Sequence, residues 1–171
     1  MRLWPDVRPL LASMAALLTA VVGLVALPAA HAAGKVEVTF ITPEKFSDIG
    51  FGSVERERSL AELTDIFGGL APFLPDGQTL RIDVLDVDLA GDVFPRSARD
   101  VRVLRGTVDW PQVTLRYTLQ ADGSTLKSGQ EQVRDMSYMF SRRGLSHVGS
   151  NLPYEKRMLE HWFREQFMPA Q

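Results

Sequence analysis

The sequence contains no cysteine, and this absence removes several kinds of chemistry at once. Without a thiol the chain forms no disulfide bond, has no cysteine nucleophile and cannot carry a lipid on an N-terminal cysteine. Histidine is scarce too, with three in 171 residues. His147 and His161 do not have the paired spacing that is typical of zinc ligands. We therefore predict that the protein holds no metal and no cofactor.

An excess of positive charge is also missing. The formal net charge is −2 at pH 7, whereas nucleic-acid-binding domains usually carry a basic face. The sequence has no glycine-rich phosphate-binding loop of either common type. Residues 144–149 (GLSHVG) are similar to the motif of a serine nucleophile elbow, but they have one residue too many before the second glycine and follow no predicted buried strand. These absences predict no nucleic-acid partner and favour a protein without enzymatic activity.

The N-terminal region has the pattern of a secretory signal. Arg2 and Arg8 form a short basic region, and residues 10–27 form an uncharged apolar run. Residues 30–32 (AHA) then provide a cleavage site of the small-x-small type. An apolar run of this length is also sufficient to span a bilayer. The pattern therefore predicts export, with signal cleavage as the first interpretation and an N-terminal membrane anchor as the alternative.

Cleavage after Ala32 would divide the chain into a signal peptide, residues 1–32, and a single domain, residues 33–171. We expect this domain to be periplasmic or secreted, with no membrane association after cleavage. A secreted domain that lacks disulfides must be stabilised by its core, and the bacterial periplasm suits such a domain well. The chain beyond residue 32 is long enough to bury a substantial core.

Residues 80–91 (LRIDVLDVDLAG) are predicted to form the central strand. Apolar residues alternate with polar ones in this stretch, but the phase of the alternation changes between Val84 and Leu85. A strand with one such change either has both faces covered or carries a β-bulge. With a bulge, the core side contains Leu80, Ile82, Val84 or Leu85, Val87 and Leu89, and the outer side contains Arg81 and three aspartates.

Those aspartates are Asp83, Asp86 and Asp88, and they are unusual because Asp is depleted in strands. One interpretation is a hydrolase-type enzyme or a hard-cation-binding protein that uses this row of carboxylates. The other is that the carboxylates are solvated or pair with arginines on neighbouring strands. We favour the second interpretation, because exposed ion pairs are common and contribute little.

Several shorter patterns complete the predicted fold. Residues 35–41, 101–104, 113–120 and 125–134 have strand character, and the last of these is polar enough to be an edge strand. One helix is predicted to begin at Ser59 after a loop over residues 44–57, and another at Pro153. Together these elements predict an α+β domain with a mainly antiparallel sheet of about four to five strands and two helices packed on one face.

Four separated blocks of the sequence resemble a single bacterial family: LPDGQTLRIDVLDVDLAG, DVRVLRGTVDWPQVTLRYTL, GQEQVRDMSYM and YEKRMLEHWF. The opening VEVTFITPEKFSDIG fits the same family. The chain is similar to the family catalogued as domain of unknown function 3016 (DUF3016). This resemblance implies a secreted or periplasmic bacterial protein, and it provides no catalytic residues to assign.

The segment at residues 136–151 is the predicted functional surface. It begins with large apolar side chains next to the predicted edge strand and continues as a glycine- and serine-rich linker. Such segments on rigid scaffolds often carry binding, although the aromatic residues could instead complete the core. We predict an envelope binding or interaction module whose partner is an envelope protein or a small ligand, and the oligomeric state stays open. The candidate binding residues are Tyr138, Phe140, Arg142, Arg143, Asp86 and Asp88.

Overall fold

The computed structural model describes residues 33–94, 101–106, 108–140 and 150–168. The predicted signal peptide and its alternative, the membrane anchor, lie outside these residues. Within the part of the chain that is described, no helix has the length and apolar character needed to cross a membrane.

The described elements follow the order of an α+β protein, with one strand, a helix, five consecutive strands and a final helix. The strands are β1 (Lys35–Phe40), β2 (Gln78–Asp88), β3 (Asp92–Phe94), β4 (Val101–Val103), β5 (Gln112–Ala121) and β6 (Ser124–Arg134). The helices are α1 (Gly52–Gly68) and α2 (Pro153–Phe167), with short 3₁₀ turns at Pro43–Lys45 and Ala71–Phe73.

Four strands form the main sheet in the order β1-β2-β5-β6. β1 runs parallel to β2, and the β2–β5 and β5–β6 pairs are antiparallel. The predicted α+β class with a mainly antiparallel sheet is therefore confirmed. The predicted strand at residues 101–104 exists as β4, but it pairs with β3 in a second, two-stranded sheet. β6 is an edge strand, as its polar sequence predicted.

Of the two interpretations of the phase change, a bulge or a strand with both faces covered, the structure has the bulge. The pairing of β2 with β5 shifts between Val84 and Asp86, so Leu85 is the extra residue. The shift keeps Val84 and Val87 on the same side of the sheet, and both are completely buried. It also places the β2 aspartates on the other side of the sheet.

Both helices contribute to a single core with the apolar face of the sheet. The buried side chains of α2 recur at helical spacing, which is why this helix could be recognised from its sequence. The core residues of the two helices are Leu63, Ile66 and Phe67 from α1, and Met158, Leu159, Trp162 and Phe163 from α2.

The predicted start of the first helix is wrong. The helix begins at Gly52 rather than at Ser59, so part of the predicted loop at residues 44–57 is helical. Ser59 is buried within the helix and does not cap it. The Glu55 carboxylate instead accepts a hydrogen bond of 2.8 Å from the N–H of Phe51, the residue that precedes the helix. This contact supplies an acceptor at the end where free N–H groups need one.

Candidate functional site

The first two aspartates of β2 have separate partners. Asp83 forms an ion pair of 3.2 Å with Arg116 on β5, as the prediction of pairing between neighbouring strands requires. The Asp86 carboxylate accepts hydrogen bonds of 2.7 Å from the N–H and 2.8 Å from the hydroxyl of Ser47. Asp86 therefore fastens the segment that follows β1 to the central strand.

Asp88 is half-buried and lies beside Asp48, with which it forms an isolated parallel bridge. Burial raises the pKa of the Asp88 carboxyl, and the negative charges of Asp48 and Asp86 raise it further. Its environment therefore favours the protonated form more than water does.

Arg102, on β4, compensates the charge of Asp48. Its guanidinium approaches the two carboxylate oxygens of Asp48 at 2.8 and 3.0 Å, and it donates a 2.7 Å hydrogen bond to the carbonyl of Gly91. Burial alone would lower the pKa of Arg102, but the bond to Asp48 raises it above its ordinary value. A bidentate arginine pair of this kind fixes geometry strongly, so the small sheet is anchored to the main one.

Glu155 connects this region to the start of α2. Its carboxylate is buried and accepts a 2.8 Å hydrogen bond from the N–H of Ala90. Burial raises the pKa of Glu155. The side chain therefore links the loop after β2 to the first turn of the last helix, a role that sequence patterns alone did not reveal.

A cavity of about 490 Å³ lies beside these charged groups. Its walls combine aromatic, acidic and basic side chains, including Phe46, Phe51, Asp48, Asp88, Asp92 and Arg56. Among the described residues, no group of three or more histidine, aspartate or glutamate side chains is arranged so that it could hold a metal ion. The contacts of Asp86, Asp48, Arg102 and Glu155 all join separate segments of the chain, and a scaffolding role accounts for each of them.

Tyr138 is completely buried. Its ring packs edge-on against Tyr154 with 5.0 Å between the ring centres, and its hydroxyl accepts a 3.2 Å hydrogen bond from the N–H of Gly106. Burial raises the pKa of the Tyr138 hydroxyl to about 12. The placement of Tyr138 on an exposed binding surface therefore does not agree with the structure, because a ring without exposed surface cannot contact a partner.

The neighbours of Tyr138 are exposed. Phe140 is 80% exposed, Met136 55% and Met139 41%, and we refer to these three side chains as the apolar patch. Arg157 fixes the turn that carries them, because it donates hydrogen bonds to Asp135 (2.8 Å) and to the carbonyl of Tyr138 (2.6 Å). The patch is therefore presented by an anchored turn.

A groove of about 560 Å³ separates the edge strand β6 from α2. Glu131 lies along its inner side, where its carboxylate accepts hydrogen bonds from the Trp162 indole N–H (2.9 Å) and the Tyr117 hydroxyl (3.1 Å). The groove reaches Asp135 at the end of β6. Because Met136 is the next residue, the groove and the apolar patch are continuous along the chain.

The structure distributes the predicted binding residues among different settings. Phe140 is exposed and Tyr138 is buried. Asp86 and Asp88 contact the segment at residues 47–48, and Arg142 and Arg143 lie outside the described residues. Sequence analysis gave no role to Arg102, Glu155 or Glu131. Among these three residues, only Glu155 had a signal in the sequence: it is a single charged residue within the apolar pattern of the last helix.

Comparison with known proteins places these observations in one family. The family model described as "Protein of unknown function (DUF3016)" matches residues 34–165. No curated protein and no solved structure matches the chain.

Proposed function

This chain belongs to the DUF3016 family, described as proteins of unknown function, and we propose that it is a non-enzymatic binding module of the bacterial cell envelope. The observation that carries the proposal is the apolar patch. Three large apolar side chains are exposed on a turn that contacts from Arg157 and Tyr138 hold in place. We assign the patch to contact with a partner protein.

Exposing such side chains is unfavourable for an isolated domain, since burying a large apolar side chain contributes about 1.5–3 kcal/mol. Contiguous exposed apolar surface commonly marks an interaction site. Two of the three side chains are methionines, whose flexible and polarisable thioethers adapt to different partner surfaces. A partner could therefore bury the patch without rearrangement of the turn beneath it.

The alternative function, a hydrolase-type enzyme or a hard-cation-binding protein using Asp83, Asp86 and Asp88, finds less support in the geometry. Asp83 is paired with Arg116, and Asp86 is hydrogen-bonded to Ser47. Asp83 and Asp86 would each have to leave their present partners to bind a cation or to act on a substrate. A binding function at the apolar patch requires no such loss.

The envelope location is the second part of the proposal, and the N-terminal pattern at residues 1–32 supports it. Intact-mass analysis of the periplasmic fraction of cells expressing the full chain should give a protein that begins at Ala33. Recovery of the full-length chain alone, in the membrane fraction, would favour the anchor instead.

Site-specific photocrosslinking tests the binding function. A photoreactive phenylalanine analogue placed at Phe140 in the full-length chain should crosslink a defined partner in cells of the native host. Phe73 is the matched control, because it is also exposed (58%) but lies in the 3₁₀ turn after α1. The crosslink at position 140 should disappear when Met136 and Met139 are both changed to Ser.

The melting temperature of each variant provides the necessary control. Surface substitutions away from specific contacts usually change stability by less than about 0.5 kcal/mol. We therefore expect Phe140→Ser and Phe73→Ser to melt like the parent protein. Equal crosslinking from positions 140 and 73, or a crosslink that persists in the double methionine variant, would contradict a binding function at the apolar patch.

A further inference from the structure

Two of the three side chains in the apolar patch are methionines, and their thioethers are open to oxidation. The chain has no cysteine, so no thiol competes with the thioethers for an oxidant. The described residues contain four methionines: Met136, Met139, Met158 and Met168. Met136 is 55% exposed and Met139 41%, whereas Met158 is 4% exposed and Met168 is partly buried against the core. Exposure therefore directs oxidation to the two methionines of the patch.

Met139 lies in a setting that suits a thioether and does not suit a sulfoxide. Its sulfur packs directly against Gly106, because a Cβ atom added to that glycine would lie 2.8 Å from the sulfur. The N–H of Gly106 already donates to the Asp109 carboxylate (2.8 Å) and to the Tyr138 hydroxyl (3.2 Å). The N–H of Arg105 also donates to Asp109. A sulfoxide oxygen, which only accepts hydrogen bonds, would therefore meet N–H donors that are already engaged.

Oxidation of either thioether by hydrogen peroxide is an oxygen transfer. A sulfur lone pair attacks one peroxide oxygen, and the S–O bond forms as the O–O bond breaks. The attacked oxygen passes its proton to the departing hydroxide, which leaves as water, so that sulfur loses the two electrons that the peroxide gains. A methionine sulfoxide reductase reverses the step, since the oxygen leaves as water while two thiols form a disulfide. The same side chain can therefore present an apolar or a polar surface.

We propose that Met136 and Met139 form a reversible oxidation site, and that their conversion to sulfoxides by a peroxide releases the partner of the apolar patch. This inference rests on the proposed function, since it names how the same surface is regulated. A sulfoxide oxygen that is buried in an apolar contact without a donor is unfavourable, so oxidation should weaken the contact by about tenfold or more. Reduction of the sulfoxides restores the apolar patch and, with it, the contact.

Peptide mapping by mass spectrometry shows which sulfurs react. Protein purified from cells that express the full chain is treated with hydrogen peroxide for increasing times. Met136 and Met139 should each gain one oxygen about tenfold or more faster than Met158. Met158 is the matched control, because it belongs to the same chain and is buried. Equal rates at Met158 and at the two patch methionines would overturn the inference.

The photocrosslink from position 140 measures the consequence for binding. Purified protein that carries the photoreactive residue is oxidised, freed of peroxide and added to an untreated envelope extract of the native host, so the partner itself is not oxidised. The crosslink should fall by about tenfold or more, and treating the oxidised protein with methionine sulfoxide reductase should restore it. In the double variant Met136→Leu and Met139→Leu, the ratio of the crosslink after peroxide to that before should stay near one, because leucine accepts no oxygen.

The outcomes separate this inference from the proposed function. A crosslink that persists when Met136 and Met139 are fully oxidised would overturn the regulation and leave the binding function intact. The absence of any crosslink from untreated protein would contradict the binding function, and this inference with it. A crosslink that reduction does not restore, or a loss of crosslink in protein that circular dichroism shows to be unfolded, would also overturn the inference, because the effect would then not depend on the surface of the patch.

Discussion

Replacing Trp162 with alanine is expected to be among the most destabilising single changes in α2. Only 4% of this side chain is exposed. Its ring packs edge-on against Tyr117 and Phe167, with ring centres 5.7 and 5.5 Å away, and its indole N–H donates a hydrogen bond to Glu131. The substitution removes all of these contacts together and leaves a cavity between α2 and the sheet.

Truncating a buried tryptophan to alanine typically costs about 3–5 kcal/mol. Loss of the indole N–H also deprives the half-buried Glu131 carboxylate of a donor, and a hydrogen bond to a charged group contributes about 1.5–3 kcal/mol. Because Glu131 keeps its bond from Tyr117, we expect a total near 4 kcal/mol for Trp162→Ala. Trp162→Phe retains most of the packing but loses the indole N–H, and should cost about 2–3 kcal/mol.

Urea denaturation followed by circular dichroism measures these losses. Domain stabilities of about 5–15 kcal/mol make a loss of this size easy to resolve. Phe73→Ala serves as the control and should change stability by less than about 0.5 kcal/mol, because Phe73 is exposed. A loss below about 1 kcal/mol for Trp162→Ala would refute the reasoning, since it would mean that the core does not depend on this contact.

Other predictions concern the charged groups around the central strand. Arg102→Lys keeps the charge but loses the bidentate bond to Asp48, and it should lower the free energy of unfolding by about 1–3 kcal/mol in urea titrations. Burial raises the pKa of Glu155, so its stabilising contribution is complete below the unfolded-state pKa and is lost as pH rises through the folded-state pKa. Glu155→Gln should therefore melt higher than the parent at neutral pH, with a difference that shrinks towards acid pH; a constant difference would contradict this. Calorimetric titration with calcium, magnesium, manganese or zinc should show no binding tighter than about 1 mM, whereas micromolar affinity that is lost in Asp86→Asn would support the cation-binding alternative.

Elements with a strong local period were predicted correctly. The central strand followed from its alternation of apolar and polar residues, because side chains alternate strictly across a strand. The change of phase between Val84 and Leu85 was visible in the sequence, but it left two interpretations, a bulge or a strand with both faces covered, and only the pairing of β2 with β5 shows the bulge. The last helix followed from Pro153 and from apolar residues at helical spacing. The first helix has a weaker pattern, and its start at Gly52 was missed because glycine near a helix terminus is more often a sign of a loop.

The candidate sites were less accessible to sequence reasoning. Tyr138 and Phe140 are two residues apart and have similar apolar character, yet one is completely buried and the other is exposed. No period distinguishes them, because both lie in a turn whose orientation is fixed by Arg157 and Gly106 rather than by neighbouring residues. Likewise, the partner of Arg102 is Asp48, which is 54 residues away.

The sequence by itself determined the α+β class, the central strand, the edge character of β6 and the family. Each of these depends on local periodicity, on composition or on the match of separated blocks, all of which are properties of the chain alone. Tertiary structure decided which carboxylates are paired, that Tyr138 lies inside, and that a groove separates β6 from α2. These features arise where segments distant in the chain meet, and the geometry of such a meeting is set by the packing of the whole core.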